Sequence, residues 1–460
     1  MNHLSQCSTA ARSFTVGVLL LVGANLASLA AAAEQFTLPH DRPGRFLGVE
    51  TCGSSECHGS AEPWRNATVL MKERQIWQAH DSHAKAYVAL TSDLGQRIAQ
   101  NLGLADAGQA PECLVCHTTY VPPAQRGPKF TLEAGVSCES CHGAGSSFLA
   151  AHVQPTSQHA SNLEAGMYPT TNPGARADLC LSCHQGDGVR KVSHRLYGAG
   201  HPRLRFELDT YSVLQPYHFN PDADYRRRKP LNSHFRLWAE GQLQAALNML
   251  ALADPTLHPQ TGLFPELAQF DCHACHQAIN DDPDHRPRPG LKAGALARND
   301  APLVVLRALA QVTVPTQVAA LTTATRDWQN ALNDRRAYPM AASVLKTTVN
   351  ALANTLGARV ENSGDTRAVA RALLEQARAE APLPFLAAES VAMSLSTLLT
   401  AEFEAGRLTP AQFQQVNEAL NAVYTAVGNA QTYRATAYAS ALGTVAAAMG
   451  QQSRSAPGTN

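Results

Sequence analysis

The sequence predicts a mainly α-helical protein with much irregular structure, built as two successive parts. Two observations predict this architecture. Five close cysteine pairs and seventeen histidines, separated by glycine- and proline-rich stretches, lie between residues 34 and 286, and neither residue type occurs after His285. Beyond that point the composition shifts to alanine and leucine with helical periodicity. We therefore expect a compact cysteine- and histidine-rich domain over residues 34–286 and an all-α helical bundle over residues 287–460.

The first 33 residues have the pattern of a secretory signal peptide. Arg12 supplies the positive charge, an apolar stretch follows, and AAA before Glu34 is a small-residue cleavage site. An uncleaved membrane anchor is the alternative, but Gly23 and Asn25 within the apolar stretch favour cleavage. No later stretch approaches the roughly 18 apolar residues that a membrane-spanning helix needs. The expected location is the periplasm, with no membrane span after cleavage.

The overall charge of the chain is balanced. With 37 Lys and Arg against 37 Asp and Glu, bulk electrostatics indicates neither a nucleic-acid partner nor an anionic membrane surface. The cysteines are more informative. Cys7 lies in the leader, and the other ten form five close pairs, which are Cys52/Cys57, Cys113/Cys116, Cys138/Cys141, Cys180/Cys183 and Cys272/Cys275.

Four of these pairs read CLVCH, CESCH, CLSCH and CHACH, so a histidine follows each second cysteine (His117, His142, His184 and His276). Histidine makes up 18 of 460 residues, and four chance occurrences have odds on the order of one in a million. Covalent haem attachment requires this order, because the thiols bond the two vinyl groups and the next residue can bind iron as the proximal ligand. Zinc or disulfides are the alternatives, but a thiolate zinc site does not require the histidine.

The first pair is a stretched version of the same motif. In CGSSECHG, four residues separate Cys52 from Cys57 before His58 follows. The small, turn-prone residues between the cysteines can bulge outward and still present both thiols. A local disulfide beside an incidental His58 is the alternative. We expect five haem c groups, four at C-x-x-C-H motifs and one here.

Each iron also needs a sixth ligand unless its distal position is open. Twelve further histidines are available, namely His40, His80, His83, His152, His159, His194, His201, His218, His234, His258, His273 and His285. This number is sufficient for bis-histidine ligation throughout. The positions relative to turns and helix faces favour His83, His152, His194, His201 and His218 as distal ligands.

His83 lies in a stretch, residues 74–90, that is expected to form one continuous helix. His80 and His83 fall on the same face of it. His83 is the preferred ligand, although packing of either ring in the core is the alternative.

Several stretches resemble a known family. GVSCESCHGAGS, CLSCHQGD, SHRLYGAGHPRLRFELDTY, WAEGQ and FPELAQFDCHACH, within residues 47–280, are similar to multihaem cytochromes c related to the tetrahaem electron acceptor of hydroxylamine oxidoreductase. The resemblance implies a multihaem cytochrome c domain. It also implies His152, after CHG-x-G-S, and His83, in a tryptophan-led helix, as distal ligands. The six-residue spacing from Trp77 to His83 departs from the family pattern, and the C-terminal third has no counterpart.

Two functions remain. The first is an electron carrier that exchanges electrons with unidentified redox partner proteins. The second is an oxidoreductase in which one open haem acts on a small nitrogen or sulfur compound. Multihaem nitrite reductases usually bind the catalytic haem through C-x-x-C-K, which does not occur here. The surplus of histidines favours the carrier.

The remaining segments are less specific. The basic run at residues 226–229 could dock an acidic partner, pair with haem propionates or simply be solvated. LTPAQF predicts a helix start, with Thr409 as N-cap, Pro410 as the first helical residue and Gln412 completing a capping box. Helices are expected near residues 233–253, 302–312, 315–332, 340–357, 366–380, 388–404, 409–427 and 431–449.

The helical bundle has no motif of its own. It could cover a haem face, form a homo-oligomer or dock a redox partner. Because no histidine or cysteine follows His285, a chain ending near Gly290 is expected to keep all its haems.

Overall fold

The computed structural model describes residues 36–64, 69–229, 231–254, 266–276, 290–291, 296–331, 334, 336–357, 365–380 and 382–454. The leader, His258, His285 and most of the linker before Gly290 lie outside the described residues.

The first part of the chain consists of short helices joined by irregular segments. Its α-helices are α1 (Val49–Cys52), α2 (Glu73–His80), α3 (Ala86–Thr91), α4 (Asp93–Leu102), α5 (Pro111–His117), α6 (Cys138–His142), α7 (Gly145–His152), α8 (His159–Glu164), α9 (Pro173–His184), α10 (His194–Gly198), α11 (Leu208–Leu214), α12 (Ala223–Arg228) and α13 (His234–Leu252). Short 3₁₀ turns lie at Pro39–Asp41, Ser82–Lys85, Ala107–Gln109, Pro123–Gln125, Leu267–Gln269 and Cys272–Ala274.

The second part is built from longer helices. They are α14 (Ala301–Thr313), α15 (Val318–Asn330), α16 (Ala337–Leu356), α17 (Thr366–Ala379), α18 (Phe385–Glu404), α19 (Pro410–Ala426) and α20 (Ala435–Arg454), with 3₁₀ turns at Pro315–Gln317 and Ala430–Thr432. Within the described ranges there is no β-strand, only isolated bridges at Phe46–Arg126 and Phe270–Arg298. The predicted mainly α fold with irregular regions is confirmed. None of the described helices combines the length and apolarity of a membrane span.

Helix α13 joins the two parts because it is buried on nearly all sides. Its Leu237 packs with Leu181 of α9 in one apolar cluster. Its Phe235 and Trp238, 1% and 0% exposed, belong to the large core that also contains Leu306 of α14. The domain boundary near residue 286 stays a prediction, but the core of the bundle includes this earlier helix.

Polar contacts reinforce the junction. The Arg203 guanidinium donates to both carboxylate oxygens of Glu389 in α18, at 2.7 and 2.6 Å. The His234 imidazole at the start of α13 lies between Asp209 and Glu404, with a nitrogen–oxygen distance of 2.8 Å to each. These pairs fix the first part of the chain against α18.

The prediction of a single helix over residues 74–90 is wrong. Helix α2 ends at His80, and Asp81 is extended, with φ −86° and ψ 125°. The Asp81 carboxylate accepts hydrogen bonds from the backbone N–H of His83 at 3.0 Å and from its Nδ1 at 2.9 Å. Aspartate competes for nearby backbone donors in this way and so interrupts helices.

The helix start at LTPAQF is confirmed. The backbone N–H of Gln412 donates to Oγ1 of Thr409 at 3.3 Å, and the N–H of Thr409 donates to Oε1 of Gln412 at 2.9 Å. Pro410 is the first residue of α19. The reciprocal bonds satisfy two donors that a helix end otherwise leaves unpaired.

Candidate haem sites

Every motif histidine lies beside one of the five histidines expected as distal ligands. We number the sites by motif order. The ring centroids are 5.9 Å apart at site 1 (His58 and His152), 6.4 Å at site 2 (His117 and His201), 6.1 Å at site 3 (His142 and His218), 6.1 Å at site 4 (His184 and His83) and 6.0 Å at site 5 (His276 and His194).

These separations fit a metal ion held between two imidazoles. Metal–nitrogen bonds of about 2 Å place two opposite ligand nitrogens about 4 Å apart. The rest of each centroid separation is the distance from the ligating nitrogen to the centre of its own ring. Direct ring stacking would bring rings closer, as in the 4.7 Å contact between His184 and Phe206.

Five of the ten imidazoles are hydrogen-bonded at Nδ1. His152 is bonded to the side-chain amide nitrogen of Asn162 at 3.3 Å, and the other four face acceptors. The partners are Oε2 of Glu73 for His58 (2.9 Å), Oδ1 of Asp81 for His83 (2.9 Å), the Ala86 carbonyl for His117 (2.8 Å) and the Pro202 carbonyl for His201 (2.7 Å). An acceptor at Nδ1 keeps the proton there and leaves Nε2 free for a metal. These contacts therefore select the tautomer that a haem ligand needs.

Burial keeps several of these rings neutral. Burial, with the charge of His218, lowers the pKa of His142 to about 3. Burial and the charge of His83 lower the pKa of His184 to about 4. Since neutral imidazole is the ligating form, these rings are ready to bind metal at physiological pH.

At the regular motifs, a helical turn brings the cysteines and the histidine together. Helices α5, α6 and α9 each end at their motif histidine. At the fifth motif, the backbone N–H of His276 donates to the Cys272 carbonyl at 2.7 Å, closing one helical turn. In such a turn, positions i, i+3 and i+4 share one face. No disulfide joins any of the ten motif cysteines.

The fifth motif departs from the other four in burial. Cys272 and Cys275 are exposed, whereas the eight cysteines of the other motifs are half-buried. The reason is local: this motif forms only the 3₁₀ turn Cys272–Ala274, and Cys275 lies after that turn, with φ −120° and ψ −43°. Cys275 is therefore less enclosed than the thiols of the other four motifs. Its bond to haem stays a prediction, which rests on the CHACH motif and on its electrostatic interaction with Cys272.

The stretched motif closes the same hydrogen bond as the regular ones. The N–H of His58 donates to the Cys52 carbonyl at 3.0 Å, although two more residues intervene than at a regular motif. The extra residues loop out around the Ser54 carbonyl, which accepts from Cys57 at 3.0 Å and Gly59 at 2.9 Å. A Cβ on Gly59 would lie 2.0 Å from the Gly53 carbonyl oxygen, so the loop requires glycine there.

Thiols from different motifs link sites 2, 3 and 4. Cys116 of site 2 and Cys183 of site 4 lie close enough for each thiol to shift the pKa of the other. Cys141 of site 3 is close enough to Cys180 of site 4 for their charges to interact.

Similar contacts attach the two remaining sites. Cys52 of site 1 interacts electrostatically with Cys138 of site 3. At the other end, Tyr197 packs its ring 6.4 Å from that of His201 in site 2 and interacts with the charge of Cys272 in site 5. The sites therefore follow one another in space in the order 1, 3, 4, 2, 5.

The basic run at residues 226–229 divides into two groups. Arg227 and Arg228 form ion pairs with Asp224, at 3.0 and 2.6 Å, and their side chains are exposed. Lys229 instead turns inward, and its charge acts on His142 and His152 of sites 3 and 1.

Other described histidines are not brought beside a motif histidine. His80 is exposed at the end of α2. Both ring nitrogens of His234 face carboxylates. The ring of His273, between the cysteines of site 5, packs against Phe385 and Tyr433 of the bundle.

Sequence reasoning missed Glu73 and Asp81, the carboxylates that hold His58 and His83. Asp81 carries a local signal, because an aspartate two residues before a ligand can reach both its backbone and its ring. Glu73 follows His58 by fifteen residues and carries no such signal.

The helical fold, the haem-attachment motifs and the paired histidines define a class, the multihaem c-type cytochromes, which bind haem c covalently. Within it, residues 52–143 match the family model described as cytochrome c554 and c-prime. Cytochrome c-554 of Nitrosomonas europaea is 25% identical over 236 residues, which cover 48% of this chain and 88% of that protein. No solved structure matches the chain significantly. The chain is thus a multihaem c-type cytochrome related to the cytochrome c554 family, as its motifs predicted.

Proposed function

We propose that the protein is an exported electron carrier that holds five haem c groups, each between two histidines. The observation that carries this proposal is the set of five imidazole pairs, with ring centroids 5.9–6.4 Å apart. Bound haem supplies one-electron redox chemistry at its iron. The protein would exchange these electrons with redox partner proteins.

The ten motif cysteines would hold the haems, and the paired histidines would be the axial ligands. The proximal set is His58, His117, His142, His184 and His276, and the distal set is His152, His201, His218, His83 and His194. Lys229 adds positive charge close to sites 3 and 1, which suits haem carboxylates. Carboxylate and carbonyl acceptors at Nδ1 would tune ligand basicity and hence reduction potential.

The pairing favours a carrier over an enzyme with an open haem. An open site requires a motif histidine that faces no second imidazole. Each of the five motif histidines has one. The continuous series of sites also suits a carrier, because electron transfer across the molecule needs neighbouring redox centres.

Export to the periplasm is part of the proposal. It is supported by the charged, apolar and small-residue segments of the first 33 residues. We expect the mature chain to begin near Glu34.

The haem count at the stretched motif tests the proposal. Intact mass of the purified protein should equal the chain from near Glu34 plus five haems. A Cys52→Ser, Cys57→Ser double variant should lose one haem, as should the matched Cys113→Ser, Cys116→Ser control. A mass that fits four haems and a Cys52–Cys57 disulfide would contradict the five-haem proposal.

A further inference from the structure

The fifth haem-attachment motif is not held by an α-helix of its own. The second, third and fourth motifs each lie at the end of a helix, α5, α6 and α9. At the fifth motif only the 3₁₀ turn Cys272–Ala274 forms. One isolated turn is marginal, because forming it fixes several dihedral angles in exchange for one hydrogen bond. The geometry of site 5 therefore depends on what surrounds this turn.

Asp271 bonds the turn to the helical bundle. Its side chain is buried. Its Oδ1 accepts from the backbone N–H of His273 at 2.9 Å, and its Oδ2 accepts from the backbone N–H of Leu386 at 3.4 Å. Leu386 lies in the first turn of α18, where N–H groups have no partner within the helix and a carboxylate is favoured. One buried carboxylate thus caps both the motif turn and α18.

His273, the second residue of the motif, packs on two aromatic rings of the bundle. Its ring centroid lies 5.5 Å from that of Phe385 and 6.0 Å from that of Tyr433. Both of these rings are buried. The Tyr433 hydroxyl donates to the Leu383 carbonyl at 2.8 Å, which fixes the orientation of that ring. The two rings therefore restrain a side chain that lies between the cysteines of site 5.

A third contact holds the chain just before the motif. Phe270 and Arg298 form an antiparallel bridge, and the N–H of Asp271 donates to the Ala297 carbonyl at 3.0 Å. The buried Arg298 guanidinium carbon lies 5.8 Å from the ring centroid of Phe270 and 4.8 Å from that of Trp328 in α15. Such contacts of a cation with aromatic faces are attractive. Three contacts thus anchor the fifth motif to the bundle.

We propose that the bundle orients site 5, with His273 as the positioning residue that acts through the axial ligand His276. This inference rests on the proposed function, because it requires a haem at the fifth motif. The N–H of His276 closes the turn on the Cys272 carbonyl at 2.7 Å, so a restraint on His273 in the same turn also restrains His276. The orientation that is maintained is nearly parallel to His194, with 21° between the ring planes.

His273→Ala in the full-length, haem-loaded protein tests this role. EPR should show altered g values for one low-spin iron of the two whose paired rings are nearly parallel, at sites 1 and 5. Spectroelectrochemical titration should show a lower reduction potential for one haem, because a loosened turn admits water, and solvent exposure favours the more highly charged ferric state. His273→Phe keeps an aromatic ring at this position and should restore both readouts.

Phe385→Ala should cause the same two changes from the other side of the contact. Phe413→Ala is the matched control, because it also removes a packed aromatic ring from the bundle. That ring lies 4.4 Å from Phe403, near the opposite end of α18, and its loss should change neither readout. Circular dichroism verifies that each variant folds.

Intact mass separates failure of this inference from failure of the proposed function. Five haems, with unchanged g values and potentials in both His273→Ala and Phe385→Ala, would overturn the inference and leave the proposed function standing. Loss of one haem from His273→Ala would also overturn it, because the contact would then serve attachment and not orientation. An unmodified protein without haem at the fifth motif would overturn both.

Discussion

At the residue scale, chemistry specific to haem attachment predicts the proximal histidines, because each follows a cysteine pair directly. The distal histidines could be proposed as a set but not assigned, since the pairs join distant parts of the chain, as His83 and His184 do. Their assignment depends on tertiary packing, which no local pattern encodes. The carboxylates behind the ligands and the exposure of Cys275 were missed for the same reason.

Removing one of these carboxylates should change a single reduction potential. Burial raises the pKa of Glu73, but the hydrogen bond with His58 outweighs this and leaves the pKa lowered, so the group is ionised at neutral pH. Glu73→Gln should make His58 a weaker donor and raise the potential of site 1. A tenfold change in relative affinity for ferric iron corresponds to about 59 mV.

Spectroelectrochemical titration measures that change. Glu50→Gln is the matched control, because Glu50 is near the same motif but pairs with Arg74 and is about half exposed. If both variants titrate like the unmodified protein, Glu73 does not tune site 1.

At the element scale, periodicity and capping predicted the bundle helices well. Helices α17 and α19 follow the expected ranges closely, because apolar spacing and end signals are local. The prediction of one helix over residues 74–90 was wrong. Their apolar pattern is helical, but the Asp81 carboxylate accepts a hydrogen bond from the His83 backbone N–H and interrupts the helix. The ionic contact of His234 with α18 was equally unpredictable, since its partners lie far away in the sequence.

This contact should make stability depend on pH. Hydrogen bonding to Asp209, opposed by burial and reinforced by Glu404, raises the pKa of His234 to about 9 from its usual 6.5. A raised pKa contributes stability that is fully present below about pH 6.5 and lost as pH rises through about 9. His234→Gln should cost about 1–2 kcal/mol near pH 6, with allowance for the exposure of Glu404.

Denaturant unfolding near pH 6 and near pH 10 measures this difference. The cost of His234→Gln should shrink at the higher pH, and the exposed control His80→Gln should cost little at either. An equal cost at both pH values would contradict the ionic role of His234.

At the scale of the whole molecule, composition predicts two parts, but it does not predict the core that α13 shares with the bundle. Helix α13 precedes the last haem motif, yet Phe235 and Trp238 are buried with the helices of the bundle. A helix that is apolar on nearly all sides must be buried on nearly all sides. Its sequence does not predict which helices pack against it.

Truncation separates haem attachment from stability. A chain ending at Gly290 keeps every motif and paired histidine, so its mass should still include all haems. The truncation also exposes the face of α13 that packs on the bundle. Each large apolar side chain that becomes exposed lowers the free energy of unfolding by about 1.5–3 kcal/mol. We expect a much lower melting temperature or aggregation than for the full-length protein. Loss of haem would mean that the bundle is required for attachment.

Low-temperature EPR of the fully oxidised full-length protein tests the five paired sites most directly. All five irons should be low-spin, with cyanide causing no change. They should fall into two classes in the ratio two to three, because the paired ring planes are 22° and 21° apart at sites 1 and 5 but 80°, 81° and 89° apart at sites 2, 3 and 4. His152→Ala or His201→Ala should convert one iron in five to high spin, and the control His80→Ala none. The contrary result is a high-spin signal from one iron in the unmutated protein, together with binding of nitrite or hydroxylamine. That result would contradict the electron-carrier proposal and identify that iron as an active site.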